Sequence, residues 1–244
     1  MDYKNKVVLI TGASSDIAKS IVKYFVKCKA KVIVTYHNNK EDLLELCDKS
    51  REGDNTLIDT FYLDLCKEDS ILELYNYVND KYHKIDILIN NAAISMDSHI
   101  IDKTKEEFME VLETNLVGTF LMMKYFDNIT DGYIFNISST DGIDTGNIYS
   151  IDYNASKAGI NSITKTFSLY SKNKIISLCP NWVDTKSTRG MDKDYLNCEL
   201  KRIKQDKLIK PDVIFKVIDK CIKENIDSGS IIRIEGEDDV RRID

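Results

Sequence analysis

A single doubly wound α/β domain is the fold the sequence predicts, and three observations predict it. Seven short apolar runs alternate with amphipathic segments along 244 residues. Strands this apolar are buried on both faces, which implies a parallel sheet. No repeat, low-complexity tract or Pro/Gly-rich linker divides the chain, and one domain of this class runs to about 250 residues. Strand–helix alternation brings right-handed crossovers, so the expectation is a seven-stranded, mostly parallel sheet with helices on both faces.

The elements follow in order. Val7-Val-Leu-Ile10 is the first strand, and Ile17 to Val26 is an amphipathic helix. Lys31 to Thr35 is the second strand, followed by a helix around Asp42 to Lys49. Phe61 to Leu65 is the third, with a helix from about Ser70 to Tyr82. Ile85 to Ile89 is the fourth, before a long helical stretch from Thr104 to about Asp127. Tyr133 to Ile137 is the fifth, with a helix from about Tyr153 to Tyr170. Lys174 to Leu178 is the sixth and Ile231 to Ile234 the seventh, with a helix at Asp212 to Lys223 between them.

Bulk properties narrow the function classes. A hydrophobic share of 43% with 30% charged residues reads as soluble and globular. A net charge of −6 disfavours a nucleic-acid partner, which wants a basic face. No apolar run approaches the ~18 residues that span a bilayer, so no membrane partner is expected. The six cysteines (28, 47, 66, 179, 198, 221) form no CxxC pair, and free thiols in a reducing cytoplasm are the expectation. The three histidines (37, 83, 99) are scattered, and no metal site is expected.

Ligands of such a sheet bind beyond the carboxyl ends of its strands, and the motifs fall there. After the first strand comes Thr11-Gly-Ala-Ser-Ser-Asp-Ile-Ala18. A strand-to-helix turn of small residues lets backbone N–H groups approach a pyrophosphate at the helix N-terminus. The fourth strand ends in Asn90-Asn-Ala-Ala93, where asparagine side chains tie adjacent strands together or line a ligand rim. The fifth ends in Asn136-Ile-Ser-Ser139 and the sixth in Pro180-Asn-Trp-Val-Asp-Thr185. Four tyrosines stand four residues before a lysine: Tyr36/Lys40, Tyr77/Lys81, Tyr153/Lys157 and Tyr170/Lys174. Of these, Tyr153/Lys157 follows the strand ending in Ser138-Ser139 and opens a helix at the mouth of the sheet.

Taken together these motifs resemble the short-chain dehydrogenase/reductase family over nearly the whole chain, nearest in pattern to the 3-oxoacyl carrier-protein reductases. The resemblance implies one Rossmann-type domain, 1–244, that binds NAD(P)(H) and transfers hydride to or from a carbonyl/alcohol substrate. By resemblance the cofactor lies against Gly12, Ser14, Ser15, Asp16 and Ile17, then Asp64 and Leu65, then Asn91, Ala92 and Ala93. Pro180, Asn181, Val183 and Thr185 complete the rim. The family's glycines are replaced by Asp16 and Ala18 in the turn, by Ala93 after the fourth strand and by Asn181 after the sixth. Asp16 suits a helix first turn but brings negative charge toward a phosphate. Asn181 tolerates positive φ better than most residues. An acid about 20 residues after the glycine turn would bind the ribose 2′-hydroxyl. Here the chain reads Thr35-Tyr-His-Asn-Asn-Lys40 and has no acid until Glu41. His37, Asn38 and Lys40 favour a 2′-phosphate, hence NADP(H) over NAD(H).

Reduction of a carbonyl needs a proton for the developing alkoxide. A tyrosine with an ordinary pKa of about 10 supplies it poorly unless a neighbouring ammonium favours the phenolate. Tyr153 and Lys157, at i and i+4, share one helical face. By resemblance Tyr153 is the acid/base, and Lys157 lowers its pKa and grips the nicotinamide ribose. Ser139 or Ser138 holds the substrate oxygen, Ser139 being preferred. Asn115 is the helix asparagine that holds a water linking the lysine to solvent; a surface-facing Asn115 is the alternative. Enoyl reductases of similar fold place their tyrosine seven residues before the lysine, where this chain has Ser150.

The segment from about 183 to 210 caps the substrate pocket by the same resemblance, with Trp182, Met96, Tyr149 and Ile143 as candidate walls. A carrier-protein substrate is acidic and needs a basic patch, for which Lys124, Lys165, Lys172 and Lys174 are candidates. A homodimer or homotetramer is expected. The alternative to an enzyme is a nucleotide-binding regulatory or structural protein on the same fold, for which the altered glycine turn speaks.

Overall fold

Alternating side chains of each strand face opposite sides of the sheet, and the two hydrophobic cores follow that alternation. Val8 and Ile10 of β1 (Val7–Ile10) enter one core with Ile21, Val22 and Phe25 of α1 (Asp16–Lys27) and Ile214, Phe215 and Ile218 of α8 (Pro211–Lys223). Val7 and Leu9 enter the other, with Ile71, Leu74 and Val78 of α2 (Glu68–Tyr82) and Leu121, Met122 and Phe126 of α4 (Gly118–Phe126). The computed structural model describes residues 2–243 apart from Asn39, Asp42 and residues 44–57. The helix expected from Asp42 to Lys49 lies, Leu43 excepted, outside the described residues.

The remaining strands are β2 (Lys31–Tyr36), β3 (Ile58–Tyr62), β4 (Ile85–Asn90), β5 (Thr130–Ile137), β6 (Lys174–Pro180), β7 (Ile231–Ile234) and β8 (Val240–Arg242). Their order is β3-β2-β1-β4-β5-β6-β7-β8, parallel except for β8. The order reverses direction between β1 and β4, which opens a ligand crevice at their carboxyl ends. The doubly wound fold is as expected, with one strand more than the seven anticipated. Val240-Arg-Arg242 carries no apolar run, and as an exposed antiparallel edge it needs none; its arginines blunt that edge.

Further boundaries differ; the fifth strand begins three residues earlier, at Thr130. The third strand begins three residues earlier and ends at Tyr62 rather than Leu65. Ile58 to Tyr62 pair with Val32 to Tyr36, whereas the backbone N–H of Asp64 turns to the Ser70 hydroxyl at 3.0 Å. The helical stretch expected from Thr104 to Asp127 is α3 (Lys105–Leu112) and α4, joined by a π-helical turn, Glu113–Val117. The Gly118 N–H reaches back five residues to the Glu113 carbonyl, the wide turn that frequently marks functional sites in helices.

Candidate active site

The glycine turn is locked to β4 by side chains rather than by the sheet ladder alone. The Thr11 hydroxyl accepts from the N–H groups of Asn91 and Ala92, both at 3.0 Å. The Asn91 amide donates to the carbonyls of Thr11 (2.9 Å) and Gly12 (3.1 Å) and to the Ser15 hydroxyl (3.1 Å). Gly12 sits at φ +66°, and a Cβ there would lie 2.7 Å from the Ala92 Cα. Only glycine combines that backbone with that approach. Ser15 caps α1 by accepting from Ala18 N–H at 3.2 Å.

Two cavities share this rim. The larger, about 770 Å³, runs from Gly12, Ser14 and Asp16 past His37 and Asn38 to Asp64 and Leu65. The smaller, about 350 Å³, runs from Ser139, Tyr153 and Lys157 to Pro180, Asn181 and Val183. Ser15, Ile17, Asn91, Ala93 and Thr185 line both, and Ala92 lines the larger. Every expected site residue except Asn115 therefore borders one crevice. A dinucleotide fits its glycine cradle and its position at the switch point; the carboxylate of Asp16 is a discordant charge on the turn itself.

Asp64 lies two residues beyond its strand. Its carboxylate accepts from Cys66 N–H at 3.1 Å and pairs with Lys67 at 2.9 Å, and His37 lies 3.9 Å away. Burial pushes its pKa up, but the Lys67 and Cys66 hydrogen bonds outweigh burial and hold it below the usual range.

At the other end, Tyr153 occupies the first turn of α5 (Ile151–Ser168). Lys157 is 2% exposed; its ammonium donates to the Ile137 carbonyl at 2.7 Å and lies 5.2 Å from the Tyr153 ring centroid. Burial pushes Lys157 down to about 8. Tyr153 does not have the lowered pKa anticipated. Burial raises it, and Asp141 raises it further, against a smaller lowering by the Ser139 hydrogen bond. The two serines part company: Ser138 donates to the Lys157 carbonyl at 2.9 Å, while the Ser139 hydroxyl accepts from Asp141 N–H at 3.1 Å and lines the pocket with Tyr153.

Asn115 is fully buried in the π-helical turn, not surface-facing. Its carbonyl oxygen accepts from Ile94 N–H at 2.8 Å, and its amide donates to the Ile94 carbonyl at 2.9 Å and the Ser156 hydroxyl at 3.1 Å. It pins the loop after β4 to α5. A second pin went unnoticed in the sequence. Lys103, 3% exposed, pairs at 2.9 Å with Asp152, 0% exposed, and also donates to the Met96 carbonyl. The other Asp152 oxygen accepts from the N–H of Tyr153 at 2.8 Å. Forty-nine positions separate the partners, so no local pattern betrays the pair. Gly142 is likewise new: a Cβ there would lie 2.5 Å from the Lys157 carbonyl carbon.

Of the candidate walls, Trp182 lines the smaller cavity; Met96, Tyr149 and Ile143 do not. The Tyr149 ring packs edge-on against His99 and Tyr195 instead. Asp97, Asp141, Met191 and Tyr195 line the pocket unforeseen. The cap contains the short α6 (Lys186–Arg189) and α7 (Lys193–Arg202). Among the described residues no helix is long and apolar enough to cross a membrane, and no group of three or more His, Cys, Asp or Glu is placed to hold a metal.

Residues 6–196 match the family model for short chain dehydrogenases. The chain belongs to the short-chain dehydrogenase family. It is 32% identical to a 3-oxoacyl-[acyl-carrier-protein] reductase of Thermotoga maritima, over 97% of this chain and 98% of that protein. An uncharacterised oxidoreductase of Staphylococcus saprophyticus shares 27% identity over 79% of the chain and 84% of its own length. The crystal structure of levodione reductase superposes with a TM-score of 0.85 at 20% identity, covering 96% of this chain and 97% of that one, a likeness of fold. Membership makes the chain an oxidoreductase and sets aside the reading as a mere binding protein.

Removing one partner of the buried pair leaves an uncompensated charge. Asp152→Ala is expected to lower stability by about 3–5 kcal/mol, and adding Lys103→Met to recover part of that. Urea unfolding of the single and double variants measures it; a single variant within ~1 kcal/mol of wild type would show that the pair is not held dry.

Proposed function

We propose that this short-chain dehydrogenase reduces a carbonyl to a secondary alcohol with NADPH, Tyr153 giving up the proton. The observation that carries the proposal is the convergence of Ser139, Tyr153 and Lys157 on the cavity that opens into the glycine-turn crevice. A bound nicotinamide cofactor supplies the hydride. Ser139 orients the carbonyl oxygen beside the Tyr153 hydroxyl. Tyr153, kept protonated by burial and Asp141, is an acid rather than a standing phenolate, and donates as the alkoxide forms. Lys157, 5.2 Å from the Tyr153 ring centroid, stabilises the tyrosinate left behind until a proton returns from solvent, and would hold the cofactor's ribose. Asn115 acts by fixing Ile94 and α5, a positioning role.

NADP(H) over NAD(H) is supported by the end of β2, where His37 and Asn38 line the crevice and the chain from Thr35 to Lys40 carries no acid; the Asp64 carboxylate, 3.9 Å from His37, is already paired with Lys67. The 3-oxoacyl carrier-protein reductase at 32% identity supports an oxoacyl thioester as one substrate class. Two of the four lysines considered for a carrier protein are already engaged: Lys124 with Glu68, and Lys174 with the carbonyls of Asn225 and Ile226. The acidic pocket residues Asp97 and Asp141 favour a small neutral ketone. Residues about 183–210 serve as the cap, and the enzyme works in the cytoplasm.

Purified protein is expected to oxidise NADPH faster than NADH with a panel of small ketones and an oxoacyl thioester, and Tyr153→Phe to lose about 10²–10⁴-fold. Turnover that survives the substitution would falsify the role of Tyr153. The sign of the pH effect follows from Lys157, which carries its charge below about 8 and loses it above. Nucleotide affinity should therefore weaken as pH rises through about 8, and Lys157→Met should flatten the profile; titration across that range decides. We also propose a homo-oligomer, because Met109, Val117 and Phe120 stay exposed on the α3–α4 stretch. Light scattering should report a dimer or tetramer and Phe120→Glu should dissociate it; a monomeric wild type refutes this.

A further inference from the structure

Asp16 stands where the family pattern has glycine, and its carboxylate does not point idly at solvent. It accepts a hydrogen bond from the backbone N–H of Lys186, and Arg189 lies 3.5 Å from the same oxygen. Arg189 in turn pairs with Asp184 at 2.8 Å. These contacts join residue 16, on the glycine turn, to residues 184–189 of the cap. Thr185 and Ser187 line both cavities, and Asp16 and Lys186 line the larger. The bridge therefore lies across the junction that a dinucleotide must occupy.

The far side of the cap is fastened without Asp16. Asp184 N–H bonds the Ile209 carbonyl at 2.8 Å, and Trp182 exchanges hydrogen bonds with Gln205 at 3.1 and 2.8 Å. Asp16 fastens the near side. A half-exposed ion pair adds little to folding, so stability does not explain it. Its effect emerges when a diphosphate approaches. Asp16 alone would repel that charge, and Arg189, which it shares with Asp184, offsets part of the repulsion while holding the cap over the site.

We propose that Asp16 and Arg189 form a strap across the two cavities, through which Arg189 offsets part of the charge that replaces the glycine and tunes nucleotide affinity. The inference rests on the dinucleotide reading above, and the test separates the two. Quenching of Trp182, the single tryptophan, by NADPH and by NADH gives dissociation constants for wild type, Asp16→Gly, Arg189→Met and the double variant. Both side chains are partly exposed, so circular dichroism should show all four folded.

Coupling between contacting charges predicts that Arg189→Met weakens binding about tenfold in the wild type but by less than about twofold once residue 16 is glycine. The ratio should be the same for both nucleotides, since the diphosphate is common to them. An equal loss in the two backgrounds would assign Arg189 a direct contact with nucleotide and overturn the strap. No change in either would overturn it too. A ratio that differs between NADPH and NADH would move Arg189 to the 2′-phosphate. If wild type binds neither nucleotide, the reading of the site itself fails, independently of the strap.

Discussion

The site depends first on the lock between β1 and β4. At that point the sheet order reverses, and two strand ends part to leave a crevice. A crevice between parting strands is a weak place unless something bridges it. Asn91 does so with three donor contacts, to Thr11, Gly12 and Ser15, while Thr11 returns two acceptor contacts. All of these groups are buried or partly so, where an unmade hydrogen bond costs far more than a made one gains. The lock therefore fixes the turn's geometry rather than merely favouring it. Gly12 then brings the turn against Ala92 more closely than any side chain would allow.

The second constraint is the seating of α5. Three independent devices hold it: Asn115 through Ser156 and Ile94, Asp152 through Lys103, and the close approach of Gly142 to Lys157. Two of them hold the loop after β4 as well, so one set of contacts fixes both the pocket wall and the helix that carries Tyr153. A buried ion pair is a poor way to gain stability, since desolvation offsets attraction. It is a good way to fix direction. Here the carboxylate accepts from the N–H of Tyr153 itself, which ties the tyrosine's backbone to Lys103 and the Met96 carbonyl.

Much of this was legible in the residues. Val7-Val-Leu-Ile10 reads as a strand buried on both faces, and each face meets its own core. The Tyr153/Lys157 pair was identifiable by its place after Ser138-Ser139. What stayed hidden was what depends on distant partners. Lys103 and Asp152 look like surface charges until the fold brings them together in the interior. The π-helical turn seats Asn115 against Ile94, on another segment, a partner that no local pattern announces. Pocket walls failed for the same reason: Tyr149 suits a wall by type, yet Tyr195 from the cap draws its ring away.

The altered glycine turn shows why departures from a motif need a structure to interpret them. By charge alone, Asp16 subtracts from phosphate binding. In place it is the first residue of α1, where a carboxylate suits the helix dipole, and it also accepts from the cap's backbone. The same oxygen meets Arg189, which the sequence sets 173 residues away. An aspartate in the place of the family's glycine thus adds a tether between the turn and the cap. Whether that exchange helps or harms binding turns on the arginine, because an uncompensated carboxylate beside a diphosphate is repulsive at any plausible dielectric. Residues 16 and 189 are in contact, and neither should be judged against the family pattern alone.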